Sequence, residues 1–222
     1  MPLAPFPRPQ AVVFDLDGTL VDTAPDLCAT LNRMLAEHRR PTITLPELLP
    51  MIGDGAAKMV ERGFAATGGL PQDMTLLVRR FLEIYEANVA EESQPFPGVV
   101  STLRRLRASG ITLGVCTNKL TSLSQRLLDQ LELTQYFTAI VGGDVPARKP
   151  DPRHVLSTIE RLGASPENAI MIGDSLNDVA AAKAAKVRVV AVTFGYTATP
   201  ATELGADAVI DSFEELPTLL GL

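Results

Sequence analysis

Residues Val12 to Asp22 read VVFDLDGTLVD, and the reading of this stretch decides the fold. Val12, Val13 and Phe14 form a short apolar run suited to a strand buried on both faces. Asp15 ends the run, and Asp17-Gly18 has the residue types of a tight turn. Residues two apart in an extended segment point the same way, so Asp15 and Asp17 are expected to project together from the carboxyl end of the strand. Two carboxylates so placed repel each other unless a cation or a shared proton is present. On its own the stretch also fits a plain polar junction between strand and turn. Three further segments bear on that choice.

Working outward from Val21, the pattern turns helical. Ala24 to Arg39 carries Leu27, Leu31, Met34 and Leu35 along one face. Leu45 to Met51 reads as a short helix capped by Thr44, and Gly53-Asp54-Gly55 as a loop before a helical run through Phe64. Another helix is expected from about Pro71 to Val89, and no strand signal falls between Asp22 and Gln94. A helical block of this size after a single strand is an insertion, and reads as a small separate domain. Gln94-Pro95-Phe96-Pro97-Gly98 is its stiff return linker.

From Pro97 onward strands and helices alternate. Strands are expected at Ile111–Cys116, Ala139–Val141, Ala169–Ile172, Val187–Val192 and Ala208–Ile210. Helices are expected at about Gly98–Ala108, Leu120–Leu131, Pro152–Leu162 and Ser175–Ala185. Such alternation means a parallel sheet with crossover connections. The expected class is therefore α/β: a doubly wound, parallel, Rossmann-like sheet core with a small α-helical insertion. Residues 1–21 and 97–222 would form the core, and 22–96 the insertion. Open sheets of this kind place ligands at the carboxyl ends of their strands.

Composition narrows the partners. A net charge of -6 over 222 residues gives no broad basic field, which argues against nucleic acid. No apolar run approaches the length of a membrane span. MPLAPFPRPQ is Pro-rich and lacks the continuous apolar core of a signal peptide, so it reads as an irregular lead-in. Cys28 and Cys116 are far apart, giving neither a disulfide framework nor metal-ligand spacing. A cytoplasmic location and a monomer or homodimer are expected.

Three more segments carry chemistry. Thr117-Asn118 closes the strand ITLGVC, where a hydroxyl and backbone N–H groups could hold a phosphate oxygen or simply cap a helix. Lys149 lies in RKPDP before a helix, as a solvated cation or as a partner to acids. Asp174 abuts the buried strand AIMIG beside Gly173, and Asp178 falls in the first turn of a helix capped by Ser175, where an acid is favourable anyway. Oxygen donors of this kind suit Mg2+ rather than Zn2+. His38 and His154 lie outside these segments and read as surface residues.

DLDGTLVDT, Thr117, Lys149 in RKPDP and Gly173-Asp174 with Asp178 resemble, in order, the four motifs of the haloacid dehalogenase-like hydrolases, a superfamily largely of Mg2+-dependent phosphatases. Within it the chain looks most like the phosphoglycolate phosphatases. The resemblance implies that Asp15 takes the phosphoryl group as an aspartyl-phosphate and that Asp17 is the general acid and base. It further implies Mg2+ on the Asp15 carboxylate, the Asp17 backbone carbonyl and Asp174, with Asp178 direct or through water. Thr117, the Asn118 amide and Lys149 would bind the phosphoryl oxygens, and the insertion would be a cap closing over the substrate. The implied substrate is a small phosphate ester, 2-phosphoglycolate. Lys58 and Arg62, four apart on the helix after the Gly53–Ala56 loop, would add a cation near its carboxylate.

The chain departs from the group in two places. MIGDG stands where WIGNG is common, which puts Asp54 in the expected specificity loop, and Lys186 stands where a helix commonly ends in Gly. Broad sugar-phosphate or pyrophosphate phosphatases and sugar phosphomutases share the core motifs. A haloacid dehalogenase or a phosphonate hydrolase would lack the second acid, Asp17. A phospho-accepting signalling module of the receiver type would be smaller and lack the insertion.

Overall fold

Val12, Val13 and Phe14 do form a strand, β1 (Ala11–Phe14), and all of its residues are fully buried. The computed structural model describes residues 6–70 and 72–222, so residues 1–5 of the lead-in and Pro71 lie outside the described residues. After β1 come β2 (Val21–Asp22), α1 (Ala24–Glu37), α2 (Leu45–Leu48), α3 (Ala56–Ala66), α4 (Met74–Ala87) and β3 (Gln94–Pro95). The alternating part then runs α5 (Val99–Ala108), β4 (Thr112–Cys116), α6 (Thr121–Gln130), β5 (Ala139–Val141), α7 (Pro152–Arg161) and β6 (Ala169–Gly173). It ends with α8 (Leu176–Ala184), β7 (Arg188–Val192), β8 (Ala208–Ile210) and α9 (Leu216–Leu219).

Among the described residues one parallel sheet is ordered β5-β4-β1-β6-β7-β8. The chain leaves β1 toward β4 and β5, then returns to β6 on the other side, so the direction of winding reverses between β1 and β6. Ala11 aligns with Thr112 on one side and Ala169 on the other, which brings the carboxyl ends of β4, β1 and β6 level. Ligands of open sheets bind in the crevice at this reversal. Two apolar clusters flank the sheet. Phe14 and Val12 belong to the one that includes Phe213 and Leu103, while Val13 and Met171 pack with Val155, Ile159 and Val179 on the other face.

Helices α1, α3 and α4 pack on one another through Leu31, Met34, Leu35, Val60, Phe64 and Phe81, all buried. Gly63 is required there, because an added Cβ would lie 2.6 Å from Leu31 Cδ2. Two features differ from expectation. Val21 and Asp22 pair antiparallel with Pro95 and Gln94, so both crossings into the insertion form a small ribbon; two residues per strand are too few to show a periodicity. Asp26 braces it, accepting hydrogen bonds from Glu92 N (3.0 Å), Ser93 N (2.9 Å) and Ser93 Oγ (2.6 Å).

His154 is the second correction: it is fully buried rather than on the surface. It sits on the inner face of α7 with Val155, Thr158 and Ile159. Its Nδ1 accepts from Lys149 N at 3.2 Å. Burial pushes the imidazole down to about 4, so it stays neutral. Lys186, past the end of α8, has φ of 59°, a left-handed conformation that suits the Gly common there.

Candidate active site

Asp15 follows β1, Thr117 follows β4, Asp174 follows β6 and Lys149 lies in the loop before α7. The sheet therefore gathers residues more than a hundred positions apart. Carboxylate oxygens of Asp15, Asp174 and Asp178 lie within 4.8 Å of one another, and all three residues are buried. Lys149 Nζ is 2.8 Å from Asp15 Oδ1 and 2.6 Å from Asp178 Oδ1. Asp178 Oδ2 accepts from Ser175 N (3.0 Å) and Ser175 Oγ (2.6 Å), completing the cap of α8. Asp174 Oδ2 accepts from Tyr196 N at 2.7 Å, and its Oδ1 from Thr19 Oγ1 at 3.3 Å.

Glycines permit this crowding. Gly18 has φ of 80°, and a Cβ on it would lie 2.6 Å from Asp174 Oδ2. A Cβ on Gly173 would lie 2.4 Å from Asp178 Cβ. The Gly of the DxDGT turn and the Gly before Asp174 are thus steric requirements of the carboxylate cluster.

The cluster is under electrostatic stress. Burial, with Asp178 and Asp17 close by, raises the Asp15 carboxyl from 3.8 to about 7 despite Lys149. Burial, with Asp178 and Asp15 close by, pushes Asp174 well above the ordinary range. Lys149 stays charged: burial alone would lower it, but Asp15 and Asp178 outweigh that and hold it above the usual lysine range. Asp15 Oδ1 lies near Lys149 Nζ but off the hydrogen-bonding direction, and this buried oxygen accepts no hydrogen bond among the described residues. An orphaned carboxylate oxygen in an all-oxygen cluster with raised acids fits a hard divalent cation.

Asp17 is held differently. Its Oδ1 accepts from Thr23 Oγ1 at 2.7 Å and from Lys119 Nζ at 2.9 Å. Lys119 is buried and also donates to Tyr85 OH, on α4, at 2.9 Å. The sequence reading did not single out Lys119 or Tyr85. A signal for the first existed, since Lys119 is two residues past Thr117. Asn118 uses its side-chain amide to hold the neighbouring loops, with Nδ2 3.0 Å from Gly53 O and 2.9 Å from Lys149 O.

Over these residues lies a cavity of about 50 Å3, lined on the insertion side by Ile52, Gly53, Gly55, Ala56, Phe81 and Tyr85. Asp15, Asp17, Thr117, Asn118 and Lys119 line its polar side. The two cations expected from the insertion are placed elsewhere. Lys58 pairs with Glu61 at 2.8 Å, half-exposed, and does not line the cavity. Arg62 donates to Met51 O at 3.0 Å and pairs with Asp54, lining an adjoining cavity of about 280 Å3 that shares Asp17, Ile52 and Gly53 with the first. The buried face of α3 is Met59, Val60, Gly63 and Phe64, which leaves positions 58 and 62 at its rim. Asp54 is accordingly neutralised by Arg62 and turned to the core, where it accepts from Asn177 Nδ2 at 2.8 Å.

Comparison with known proteins adds a second line of support. Residues 12–192 match the family model for haloacid dehalogenase-like hydrolases. A phosphoglycolate phosphatase of Caulobacter vibrioides is 50% identical over 210 residues, covering 93% of this chain and 88% of its own. One from Agrobacterium fabrum is 47% identical over 222 residues, covering 99% of this chain and 93% of its own. Among solved structures, that of a predicted phosphoglycolate phosphatase from Haemophilus somnus superposes with a TM-score of 0.90 at 31% identity, covering 95% of this chain and 97% of its own.

Proposed function

The chain belongs to the haloacid dehalogenase-like hydrolases, and we propose that it is the Mg2+-dependent phosphatase among them that hydrolyses 2-phosphoglycolate to glycolate and phosphate. The observation that carries the reading is Asp15, which lines the cavity beside Asp17, Thr117 and Lys119 while its Oδ1 is paired with Lys149 at 2.8 Å. With Oδ1 turned to Lys149, the carboxylate offers its other oxygen as the nucleophile. Segment 22–96 is read as a cap domain over a core of residues 1–21 and 97–222.

Asp15 attacks phosphorus, forming a new O–P bond as the bond to the glycolate oxygen breaks. Asp17, entering the step as the acid, gives that leaving oxygen its proton. Water then attacks the aspartyl-phosphate, Asp17 takes the water's proton, and phosphate leaves with the Asp15 carboxylate restored. Thr117, the Asn118 backbone N–H and the Lys149 ammonium hold the phosphoryl oxygens as charge shifts among them. Neutral His154, accepting from Lys149 N, fixes the loop that presents this ammonium.

Mg2+ would be held by the Asp15 carboxylate, the Asp17 backbone carbonyl and Asp174. Both Asp178 oxygens are already engaged, by Lys149 and Ser175, so Asp178 is read as acting through water. When bound, the cation supplies shielding between Asp15 and the incoming dianion. Its loss under a chelator and return with Mg2+ should switch activity off and on.

Relatives 47–50% identical to this chain are phosphoglycolate phosphatases, which supports a two-carbon phosphate ester as the substrate. The test is kcat/KM for phosphate release from 2-phosphoglycolate, hexose phosphates, nucleoside monophosphates and pyrophosphate. We expect at least a tenfold preference for 2-phosphoglycolate, and its complete loss in Asp15→Asn, which should fold normally. A tenfold preference for another ester would overturn the substrate, and an active Asp15→Asn would overturn the mechanism.

A further inference from the structure

The substrate proposed above carries two anionic groups, and the phosphatase motifs answer only one of them. A carboxylate left unpaired in a cavity walled by Leu27, Phe81 and Leu123 would be strongly disfavoured. Lys58 and Arg62 do not line the cavity. Among the described residues that do, Lys119 supplies the only ammonium or guanidinium group.

Lys119 is built into place. It is 8% exposed, and its ammonium lies 4.4 Å from the centre of the Tyr85 ring, 2.9 Å from the Tyr85 hydroxyl and 2.9 Å from Asp17 Oδ1. An ammonium has three N–H donors. Two are used by these partners, and the third has none among the described residues. The ammonium is ion-paired with Asp17 at the wall of the cavity. Burial pushes the Tyr85 phenol up to about 12, so the hydroxyl retains its proton and can itself donate. Lys119 is also two residues beyond Thr117, so the two side chains bracket Asn118 on one loop.

We infer that Lys119, presented by Tyr85 of the cap, is the residue that binds the substrate's carboxylate and so selects carboxylate-bearing phosphate esters. The inference rests on the phosphatase reading and supplies its specificity. It also explains why the selecting cation can sit on the core: Tyr85 arrives only with the insertion, so the two-point carboxylate grip forms on closure. The first turn of α3, with Gly55 at its start and no side-chain cap, adds backbone N–H groups on the opposite wall.

The experiment compares 2-phosphoglycolate with 2-hydroxyethyl phosphate, which replaces the carboxylate by an alcohol carbon of similar size. In Lys119→Met the ratio of their kcat/KM values should fall by about 10- to 100-fold, the range for one charge-assisted hydrogen bond. The loss should reside mainly in KM for 2-phosphoglycolate, and Lys119→Arg should restore part of it. Tyr85→Phe, which leaves the Lys119–Asp17 pair in place, should lower the same ratio by a smaller factor and gives the answer should Lys119→Met fold poorly. Equal losses on both esters would mean that Lys119 acts only through Asp17, and would overturn the inference while leaving the phosphatase standing. A wild-type protein without preference between the two esters would overturn the functional reading, and this one with it.

Discussion

The raised acids make a prediction about stability, pH and Mg2+ that needs no substrate. Asp15 sits at about 7 in the folded chain against 3.8 ordinarily, mainly through burial. A carboxyl group raised on folding binds its proton more tightly in the folded state. Its effect on stability is therefore absent below about pH 4, and stability is lost as pH rises toward the folded value. Three units at about 1.4 kcal/mol each give a loss on the order of 4 kcal/mol for metal-free protein. Asp174 is raised in the same direction and adds to it. Lys149, held above the usual lysine range, keeps its charge throughout and contributes no slope here.

A cation that occupies this cluster competes with those protons. At pH 8 Asp15 is already ionised; at pH 5.5 its proton must leave first, weakening apparent Mg2+ affinity about thirtyfold, or about 2 kcal/mol. For a chain of this length each kcal/mol is worth about 2–4 °C in Tm. At one fixed Mg2+ concentration well above the dissociation constant, the Mg2+-induced rise in Tm should therefore be about 4–8 °C larger at pH 8 than at pH 5.5. Thermal unfolding in chelator and in Mg2+ at the two pH values reads this directly. An equal shift at both, or a larger one at pH 5.5, would refute the assignment of the raised acids to the cation site.

Two smaller perturbations test the cap and the departures from the family pattern. Asn177→Ala removes the 2.8 Å hydrogen bond that holds Asp54 to the core, a contact open enough to water to be worth about 1 kcal/mol; KM should rise several-fold with kcat little changed, and an unchanged KM would show that closure does not use it. Lys186→Gly relieves a left-handed backbone at the end of α8 and should raise stability by about 1 kcal/mol, seen as about 2–4 °C in Tm; no rise would mean that the side chain compensates.

How much of this was legible depends on where each signal is stored. The strand β1 was readable because burial on both faces is a local property, and Asp15 directly follows it; Asp17 lies past a turn residue, beyond the reach of the strand repeat. The order of the other motifs followed from the alternation, since each crossover helix returns the chain to the same end of the sheet. The rim placement of Lys58 and Arg62, one of which was expected to add a cation near the carboxylate, was also local information. Met59, Val60, Gly63 and Phe64 already define the buried stripe of α3, and positions 58 and 62 flank it. His154 was missed because its type suggests water, although Val155, Thr158 and Ile159 mark its face of α7 as internal.

Lys119 and Tyr85 are a different case. Tyr85 continues the apolar stripe of Leu77, Phe81 and Ile84 along α4, so from sequence it reads as core, and it is indeed fully buried. Only its hydroxyl leaves that core, and it does so toward a lysine 34 positions away on another part of the fold. Neither residue carries a pattern that would distinguish it, because the pair exists only once the insertion lies over the sheet. The residues proposed for phosphoryl transfer lie at the sheet ends or in the loop before α7 and can be read from one segment at a time. If Lys119 and Tyr85 select the substrate as proposed, the selecting residues are split between the insertion and the sheet, and that division would allow the insertion to change specificity while the proposed chemistry at Asp15 stays as it is.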